Sequence, residues 1–474
     1  MPKRTKIVAT LGPATADLEV LKDMVRAGLD VVRLNLSHGS HDSHATMLEL
    51  VRRAASEVGR CIGVMVDLQG PKIRVERFRD GVVELQRGAP FSLDAALDSD
   101  AGDATQVGIS YKNLPSDVTP GDILLLNDGL IRLKVERVAG TRIDTRVEIG
   151  GRVSDRKGLN RLGGGLSLGA LTEKDRADIQ FAAKAGADYL AVSFPRQASD
   201  IDEARALLRE AGGQGGVVAK IERAEALEEL DAIMAASDAV MVARGDLAVE
   251  IGDAQLAGVQ KELLRRARLR DCVVITATQM MQSMVHSPSP TRAEVLDVAN
   301  AVLDGTDAVM LSEETAIGAH PAKVIEAMSR ICEGTERYQH FSRSSGEARD
   351  YAYIDEAIAK ASIDTANRLK VKAIAAFTES GATAMWMSRI GTEVPIYAFT
   401  RHPVTERKVS LYRGVYPVAY EPAAREVVNH EVAEKLRSMG VVEEGDLIII
   451  TKGDIAGMRG GTNTLKIVRV GDTQ

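Results

Sequence analysis

Cysteines and aromatic residues are scarce in this chain of 474 residues. Aromatic side chains make up 4% of the sequence, and the three cysteines, Cys61, Cys272 and Cys332, lie far apart with no CxxC pair. An odd and sparse cysteine set excludes a disulfide scaffold, and no Cys/His cluster has zinc spacing. These features predict reduced, mostly structural thiols in a cytoplasmic protein.

Long apolar runs and a surplus of positive charge are also missing. No stretch approaches the roughly 18 apolar residues of a membrane-spanning helix, and the N-terminal MPKRTKIVATLGPA has too short an apolar stretch for a signal peptide. Sixty Lys and Arg face 67 Asp and Glu, which gives a net charge of -7. Because nucleic-acid binders need clustered basic residues, we expect neither nucleic-acid nor membrane partners.

Short apolar runs alternate with amphipathic segments over most of the first 340 residues. The runs are rich in Val, Ile and Leu with little polar alternation, which is typical of strands buried on both faces. Eight strand–helix repeats predict an α/β fold, a (β/α)8 TIM barrel, rather than an open doubly wound sheet. The predicted strands are Lys6–Gly12, Val31–Ser37, Ile62–Leu68, Tyr189–Phe194, Val217–Glu222, Ala239–Asp246, Val273–Gln279 and Ala308–Glu313.

A segment of different texture interrupts this pattern. Two stretches have the pattern of β-hairpins that turn at Asp80-Gly81 and Asp128-Gly129, so we expect an inserted β-barrel domain that acts as a lid. After a polar stretch at 342–350, strands and helices alternate again, which predicts a C-terminal three-layer α/β domain. The predicted domains are 1–71 with 169–344 for the barrel, 72–168 for the lid and 345–474 for the C-terminal domain.

Six of the predicted barrel strands end in charged or hydroxyl side chains. Because the C-terminal ends of barrel strands meet at one mouth, convergent polar ends favour a binding or catalytic site over merely solvated strand ends. The residues are Arg33, Asn35 and Ser37, then Asp67, then Lys220 and Glu222, then Arg244–Asp246, then Thr276–Gln279, and finally Ser312–Thr315.

The types of side chain at these ends indicate phosphoryl chemistry. Glu222 and Asp246 offer two carboxylates from adjacent strands, which suits a hard divalent ion such as Mg2+, although Glu222 could instead form a salt bridge with Lys220. Cations beside such carboxylates suit an anionic phosphorylated substrate, because phosphoryl transfer depends on positioning and charge stabilisation. His38 is either a general base or a structural hydrogen-bonding residue. Neither a Walker A pattern nor GxGxxG is present, and Gly163–Gly165 has the character of a flexible hinge.

At these residues the sequence resembles the pyruvate kinase family. The similarity covers nearly the whole chain, and the order and spacing of the matching strings make it specific. The strings are KIVATLGPAT, VVRLNLSHGSH, DLQGPKIR, NDGLI, AKIE, VMVARGDLAVEI, ITATQMMQSM, PTRAEVLDVANAVLDGTDAVMLSEET and a TNT near the C-terminus.

The resemblance implies transfer of the phosphoryl group of phosphoenolpyruvate to ADP, which gives pyruvate and ATP with Mg2+, for which Mn2+ can substitute. Matched position by position, Glu222 and Asp246 would hold the metal ion, and Lys220 would stabilise the transferring group. The backbone at Gly245 and Asp246 would bind the substrate carboxylate, and Thr278 would help to relay a proton to the enolate. Further phosphate or nucleotide contacts are implied for Arg33, Arg74, Lys157, Asp128 and His38.

The chain departs from the family pattern near the position of a monovalent cation. In potassium-dependent members Asn, Ser and Asp side chains, here Asn35, Ser37 and Asp67, help to hold K+. This chain has Leu68 where many members have Thr, and Lys72 where those members have Glu. Because a lysine ammonium group can supply the positive charge itself, we predict that K+ is not required. Other departures are Gln69 in place of Lys, Glu313 in place of Gly, and the lid-exit string KGLNRLGGG.

The C-terminal domain carries the string TESGAT between a predicted strand and a helix. Its hydroxyl groups and backbone amides could bind a phosphate, although an ordinary capped turn is the alternative. The family resemblance implies an allosteric sugar-phosphate or AMP pocket here, closed by a loop at about 452–463, and a homotetramer. The candidate effector residues are Thr378, Ser380, Gly381 and Thr383.

Two rival functions stay open from the residues alone. A Mg2+-dependent lyase or aldolase of the phosphoenolpyruvate/pyruvate barrel type would share Lys220, Glu222 and Asp246 but would not need a nucleotide lid. A non-catalytic metabolite sensor would use only the C-terminal domain. The complete set of mouth residues argues against the sensor.

Overall fold

The barrel strands close into one parallel sheet at the centre of the molecule. A computed structural model describes residues 2–338, 351–421, 428–454 and 460–472. Each of the eight strands pairs in parallel with its chain neighbours, and the last pairs with the first. The strands are Lys6–Thr10, Val31–Asn35, Gly63–Asp67, Tyr189–Val192, Gly216–Ile221, Ala239–Ala243, Val273–Ala277 and Ala308–Leu311. The predicted TIM barrel is therefore confirmed, with every strand at its predicted place and several strands shorter than predicted.

Helices surround the barrel and begin with the capping residues that the sequence indicates. Thr172 and Asp175 exchange hydrogen bonds at the start of one helix, and Thr291 and Glu294 do so at another, so both predicted capping boxes are confirmed. The helices of the barrel region are Leu18–Ala27, His41–Val58, Glu173–Lys184, Ala198–Glu210, Glu225–Glu228, Leu230–Ala236, Arg244–Ile251, Asp253–Leu269, Arg292–Asp304, Glu313–Ala316 and Pro321–Glu336, with 3-10 turns at Pro13–Thr15 and Gln282–Val285.

The segment between the third strand and its helix is rich in strands. The hairpin at Asp128-Gly129 is confirmed, because Ile123–Leu126 pairs antiparallel with Ile131–Ala139. The hairpin at Asp80-Gly81 is wrong: Val82–Leu85 pairs with the distant Gly151–Ser154. The described strands form one six-stranded and one two-stranded sheet rather than a closed barrel. The further elements are Pro90–Asp94, Gln106–Gly108, Arg142–Ile149, Leu159–Arg161 and the helical turn Leu114–Asp117.

The C-terminal region is a three-layer α/β unit, as predicted. Four parallel strands and one antiparallel edge strand form its sheet, and separate apolar clusters cover the two faces. One of these clusters also includes Met65, Tyr189 and Met241 from inside the barrel, so this region closes the barrel floor. The elements are Ile354–Leu369, Ala373–Phe377, Ala382–Ile390, Ile396–Thr400, Pro403–Val409, Val415–Ala419, Val428–Ser438, Leu447–Gly453 and Thr462–Arg469.

Some predicted features lie outside the described residues. The polar stretch at 342–350, with the domain boundary at 344/345, is one of them, and residues 455–459 of the predicted effector loop are another. Within the described ranges, no helix is long and apolar enough to cross a membrane. Cys272 and Cys332 are buried and Cys61 is half-buried, and all three thiols are free.

Candidate functional site

The fifth barrel strand places a lysine and a glutamate side by side at the mouth. Lys220 is the penultimate residue of the strand Gly216–Ile221, and Glu222 follows the strand directly. Residues two apart on a strand project to the same face, and here Lys220 Nζ lies 3.0 Å from Glu222 Oε1. The salt bridge that the sequence left open is present, within a larger group of charges.

Lys220 is surrounded by acceptors that keep it charged. Its ammonium group donates to Ser193 Oγ at 2.7 Å and lies 3.3 Å from Asp67 Oδ1. Burial is the largest influence and lowers the pKa of Lys220, but the carboxylates of Asp67 and Glu222 outweigh it, so the pKa is raised above its ordinary value. The residue therefore provides a fixed positive charge inside the mouth.

Glu222 is nearly inaccessible to water, with 1% of its surface exposed. Its Oε2 accepts a hydrogen bond of 2.8 Å from the backbone N–H of Phe194. Burial raises the pKa of Glu222 above its ordinary value, and the neighbouring Asp246 and Asp67 carboxylates add to this rise, while Lys220 opposes it. A cation placed against these carboxylates would lower that pKa, so the group is suited to binding one.

Asp246 lies in a helix and not at a strand end. The sixth strand stops at Ala243 and the helix Arg244–Ile251 begins at the next residue, so the predicted strand Ala239–Asp246 is too long. The helix start that was expected near Gly245 is confirmed. Asp246 Oδ1 accepts a hydrogen bond of 2.9 Å from Lys72 Nζ.

Thr278 and Gly245 are joined directly. The backbone N–H of Gly245 donates to Thr278 Oγ1 at 2.9 Å, and the same hydroxyl group donates to the carbonyl oxygen of Ala277 at 2.7 Å. Thr278 has φ of 67°, which costs a β-branched residue on the order of 1–3 kcal/mol. Arg244 supports this backbone, because its guanidinium group donates to the Thr278 carbonyl oxygen at 2.7 Å and to Asp297 at 2.8 Å.

Arg33 is the second buried cation of the mouth. Its Nε donates to Asp67 Oδ2 at 2.6 Å and its guanidinium group also donates to Thr10 Oγ1 at 2.9 Å. Asp67 therefore lies between Arg33 and Lys220, and its buried Oδ1 accepts no hydrogen bond within the described residues.

The residues of the predicted monovalent-cation position are only partly brought together. Asn35 and Asp67 are register partners on adjacent strands, and Asn35 Oδ1 accepts from the backbone N–H of Ser37 at 3.2 Å. Leu68 is buried. The ammonium group of Lys72, which the sequence placed near this position, is hydrogen-bonded to Asp246 instead.

The predicted nucleotide residues do not meet at one point. Arg74 donates to the carbonyl oxygen of Arg156 at 3.0 Å, and its backbone pairs with Gly158. Lys157 is half-buried, and Asp128 and His38 are exposed. Asp128 lies near Lys72: a Cβ built on Gly158 would lie 3.8 Å from Asp128 Oδ1 and 3.4 Å from Lys72 Cε.

The inserted segment returns to the barrel through three glycines. Gly163, Gly164 and Gly165 all have positive φ, between 73° and 86°, which fits the predicted hinge. The N–H of Gly163 donates to the carbonyl oxygen of Glu250 at 2.9 Å, and that of Gly165 donates to Glu225 Oε1 at 2.5 Å. Burial, with a contribution from Glu225, raises the pKa of Glu250 to about 7. The segment at Gly163–Gly165 is thus held by residues that follow Glu222 and Asp246 in the chain.

The candidate effector residues form a capped turn. Thr378 Oγ1 accepts from the N–H of Gly381 at 2.8 Å, and Thr383 Oγ1 is hydrogen-bonded to Thr462 Oγ1 at 2.8 Å. Gly381, at φ 89°, precedes the helix Ala382–Ile390. Both threonine hydroxyl groups are therefore engaged, and Ser380 is half-buried.

Sequence reasoning missed three residues that support the mouth and the role of a fourth. Ser193 and Thr10 follow or end the two strands that the sequence did not single out, and their hydroxyl groups contact Lys220 and Arg33. Asp297 binds Arg244 from a helix, which strand-end reasoning cannot find. Glu314 was within the predicted set, but its role was not foreseen: its carboxylate accepts from the N–H groups of Ser312 and Met281.

The mouth residues fit a divalent cation. Glu222 and Asp246 supply the oxygen ligands that Mg2+ prefers, and lysine ammonium groups already lie on both carboxylates, at 3.0 and 2.9 Å. Within the described ranges no group of three or more His, Cys, Asp and Glu is arranged around a metal position. Two carboxylates still suffice, because Mg2+ usually keeps several waters and takes substrate oxygens.

Comparison with known proteins gives consistent matches along the chain. The family model described as pyruvate kinase, barrel domain, matches residues 2–325, and the pyruvate kinase, alpha/beta domain model matches residues 356–468. Pyruvate kinase II of Salmonella typhimurium is 53% identical over 474 residues, with 99% of each chain covered. The pyruvate kinase of Haemophilus influenzae is 48% identical, over 95% of this chain and 96% of its own. That of Agrobacterium vitis is 41% identical, over 99% of each. The chain belongs to the pyruvate kinase family.

Proposed function

We propose that this phosphotransferase moves the phosphoryl group of phosphoenolpyruvate to ADP at the barrel mouth, giving pyruvate and ATP. The observation that carries the proposal is the position of Lys220, a buried cation in contact with Asp67 and Glu222. Such a charge is fixed before substrate arrives and can stabilise a transferring phosphoryl group without reorganisation. A lyase or aldolase would not need the lid beside this site.

Glu222 and Asp246 would hold Mg2+, or Mn2+ in its place. The ion would supply charge neutralisation at the phosphoryl oxygens. Arg33, beside Lys220 across Asp67, would bind the phosphate of the substrate. The N–H groups at the start of the helix Arg244–Ile251, at Gly245 and Asp246, would bind the substrate carboxylate, and the Gly245 N–H would exchange Thr278 Oγ1 for it.

Thr278 would orient the substrate and help to move a proton to the enolate. Its hydroxyl group is held at the mouth by Gly245 and Ala277. We assign it the proton-relay role because its strained backbone fixes the position of this hydroxyl group.

The segment 72–168 is our proposed lid, between a barrel domain of 1–71 with 169–344 and a regulatory domain of 345–474. When the lid closes, ADP or ATP would contact Arg74, Lys157, Asp128 and His38. The position of Asp128 beside Lys72 supports this. The glycine hinge at Gly163–Gly165 would allow that movement.

A coupled assay tests the reaction. We expect pyruvate to form only when phosphoenolpyruvate, ADP and Mg2+ are all present. Glu222→Gln should abolish turnover, whereas Glu228→Gln, which changes an exposed glutamate nearby, should leave it intact. Pyruvate formed without ADP would support the lyase or aldolase reading instead.

We further propose that Lys72 replaces K+. The ammonium group of Lys72, which lies on Asp246, could provide the charge that other members take from an ion at the position of Asn35, Ser37, Asp67 and Leu68. Rates in Na+, in K+ and without monovalent ions should agree within about twofold, and Lys72→Glu should become K+-dependent. A many-fold activation of the unaltered chain by K+ would be evidence against this assignment.

The regulation and assembly of the chain are also proposals. A sugar phosphate or AMP would bind at Thr378–Thr383, with Ser380 and the helix N–H groups as principal contacts, because Thr378 and Thr383 are engaged internally. A homotetramer is supported by Leu296 and Leu303, which lie on one helix face and are 64% and 50% exposed. A cytoplasmic location is supported by the three free thiols.

A further inference from the structure

We infer that Lys72 is a tethered occupant of the metal position, which holds Asp246 until a divalent cation displaces it. The inference rests on the proposed metal ligands Glu222 and Asp246. It assigns Lys72 a positioning role in the order of ligand binding, beyond its proposed substitution for K+.

The two lysines at the mouth differ in how firmly they are held. Lys220 is 11% exposed at its side chain and contacts Ser193, Asp67 and Glu222. The side chain of Lys72 is 26% exposed, and its ammonium group reaches Asp246 Oδ1 at 2.9 Å. An ammonium group on a flexible four-carbon stem is easily displaced. Lys72 is therefore the lysine that a metal ion would replace.

The charges of the mouth group also favour displacement of Lys72. With Lys72 in place the mouth group is formally neutral, because three carboxylates face three cations. A divalent ion at Asp246 competes with the ammonium group for the same oxygen and repels it. Once Lys72 has moved aside but stays tethered nearby, the group carries a net charge of about +2, which attracts an anionic phosphorylated substrate. The six residues are Asp67, Glu222, Asp246, Arg33, Lys220 and Lys72.

The displaced ammonium group has a second carboxylate within reach. The space above Gly158 lies 3.4 Å from Lys72 Cε and 3.8 Å from Asp128 Oδ1. Asp128 belongs to the inserted segment, at the turn between Ile123–Leu126 and Ile131–Ala139. When a metal ion binds, Lys72 therefore leaves Asp246 of the barrel and pairs with Asp128 of the lid. This exchange favours metal binding before lid closure.

Binding of Mn2+ to the ligand-free chain, measured by electron paramagnetic resonance of free Mn2+, is the first test. We expect Lys72→Met to bind Mn2+ about tenfold more tightly, because the competitor is gone, and Lys72→Arg to stay within about threefold of the unaltered chain. Equal or weaker binding by Lys72→Met would overturn the inference.

Chemical reactivity of the lysine itself is the second test, because it separates displacement from a distant charge effect. Under a short pulse of acetic anhydride followed by peptide mass spectrometry, saturating Mg2+ should raise the acetylation rate of Lys72 several-fold. The exposed Lys134 serves as internal control and should not respond. In Asp246→Asn, Lys72 should react fast with or without Mg2+. A rate for Lys72 that is unchanged or lowered by Mg2+ would contradict displacement.

Glu222→Gln separates this inference from the proposed function. If Glu222→Gln loses Mn2+ binding and Lys72→Met shows no gain, only the role of Lys72 fails. If both Glu222→Gln and Asp246→Asn bind Mn2+ as the unaltered chain does, the metal assignment itself fails, and the inference with it.

Discussion

Carboxylates paired with cations occur at both ends of the barrel, and within the described residues the four at the floor also accept hydrogen bonds from the backbone of a neighbouring strand. Each floor carboxylate directly precedes a barrel strand and accepts a hydrogen bond of 2.8–2.9 Å from an N–H of the neighbouring strand. Their cations include Arg389, Arg407 and Lys408 of the C-terminal region. The floor carboxylates are the buried Asp30, Asp188 and Asp307 and the half-buried Asp238.

One mouth carboxylate, Asp246, is held more loosely, whereas Glu222 accepts a hydrogen bond from the backbone N–H of Phe194. Asp246 has Lys72 as its charged partner, and Lys72 can move aside. The floor cations Arg389, Arg407 and Lys408 come from the C-terminal region, which is packed against the barrel. Ion pairs at the floor are permanent and therefore stabilise the fold. At the mouth, a metal ion or substrate can replace one side chain of the pair.

The largest expected difference between the two ends lies in turnover. Lys220→Met should lower kcat about 10³-fold, on the order of 4 kcal/mol, because a preorganised charge is lost. Lys408→Met, at the floor, should keep kcat within about twofold. Steady-state kinetics of both variants measures this, and an equally large loss of kcat in Lys408→Met would break the distinction.

The next effect concerns folding stability at the floor. Burial raises the pKa of Asp238, but Lys408 and Arg205 outweigh it and lower the pKa to about 2. A lowered folded-state pKa contributes stability above the unfolded pKa of about 4, and this contribution is lost as pH falls through about 2. Asp238→Asn should therefore cost about 2.5 kcal/mol at pH 7 and progressively less toward pH 2. Urea unfolding at pH 7 and pH 3 measures the difference; a variant as stable as the unaltered chain at pH 7 would count against a structural floor.

A smaller effect is expected where the inserted segment meets the barrel. The pKa of Glu250 is raised to about 7, above its unfolded value near 4.3. Stability from a raised pKa is fully present below the unfolded value and is lost as pH rises to about 7. The unaltered chain should therefore lose about 2 kcal/mol between pH 5 and pH 8 that Glu250→Gln does not lose. Thermal unfolding midpoints at the two pH values, compared with Glu228→Gln, test this. Parallel pH profiles for Glu250→Gln and the unaltered chain would show that Glu250 titrates normally.

The smallest effect is expected for an exposed pair. Arg146 and Glu136, each more than 40% exposed, lie 2.9 Å apart on the surface of the inserted segment. Arg146→Ala should leave the midpoint of urea unfolding almost unchanged, because solvent screens exposed ion pairs. A loss as large as that of Asp238→Asn would mean that burial does not set the strength of these pairs.

The sequence predicts the barrel and most of its mouth because both follow local rules. Apolar runs mark strands, and strand ends meet at one face, so Lys220 and Glu222 could be found from spacing alone. The partner of Val82–Leu85 could not be found in this way, because it lies far along the chain, at Gly151–Ser154. A turn signal at Asp80-Gly81 does not indicate which distant strand will pair. The Lys72–Asp246 pair depends on how the insert is oriented, which no local pattern encodes.

The floor network was missed for a related reason. In the sequence, an aspartate just before a strand looks the same as one at a solvent-exposed strand start. Such an aspartate becomes covered only when the C-terminal region packs against the barrel. Asp188, for example, meets Arg407 at 2.8 Å although 219 positions separate the two residues. Such contacts follow from docking of whole domains.

Burial makes the three thiols described above poor targets for oxidants. Burial raises the pKa of Cys61, Cys272 and Cys332 to about 12 each. At pH 7 about one such thiol in 10⁵ is a thiolate, the form that peroxide attacks. Catalysis by this chain should therefore continue at peroxide concentrations that inactivate enzymes with reactive cysteines. It should not need a thiol reductant.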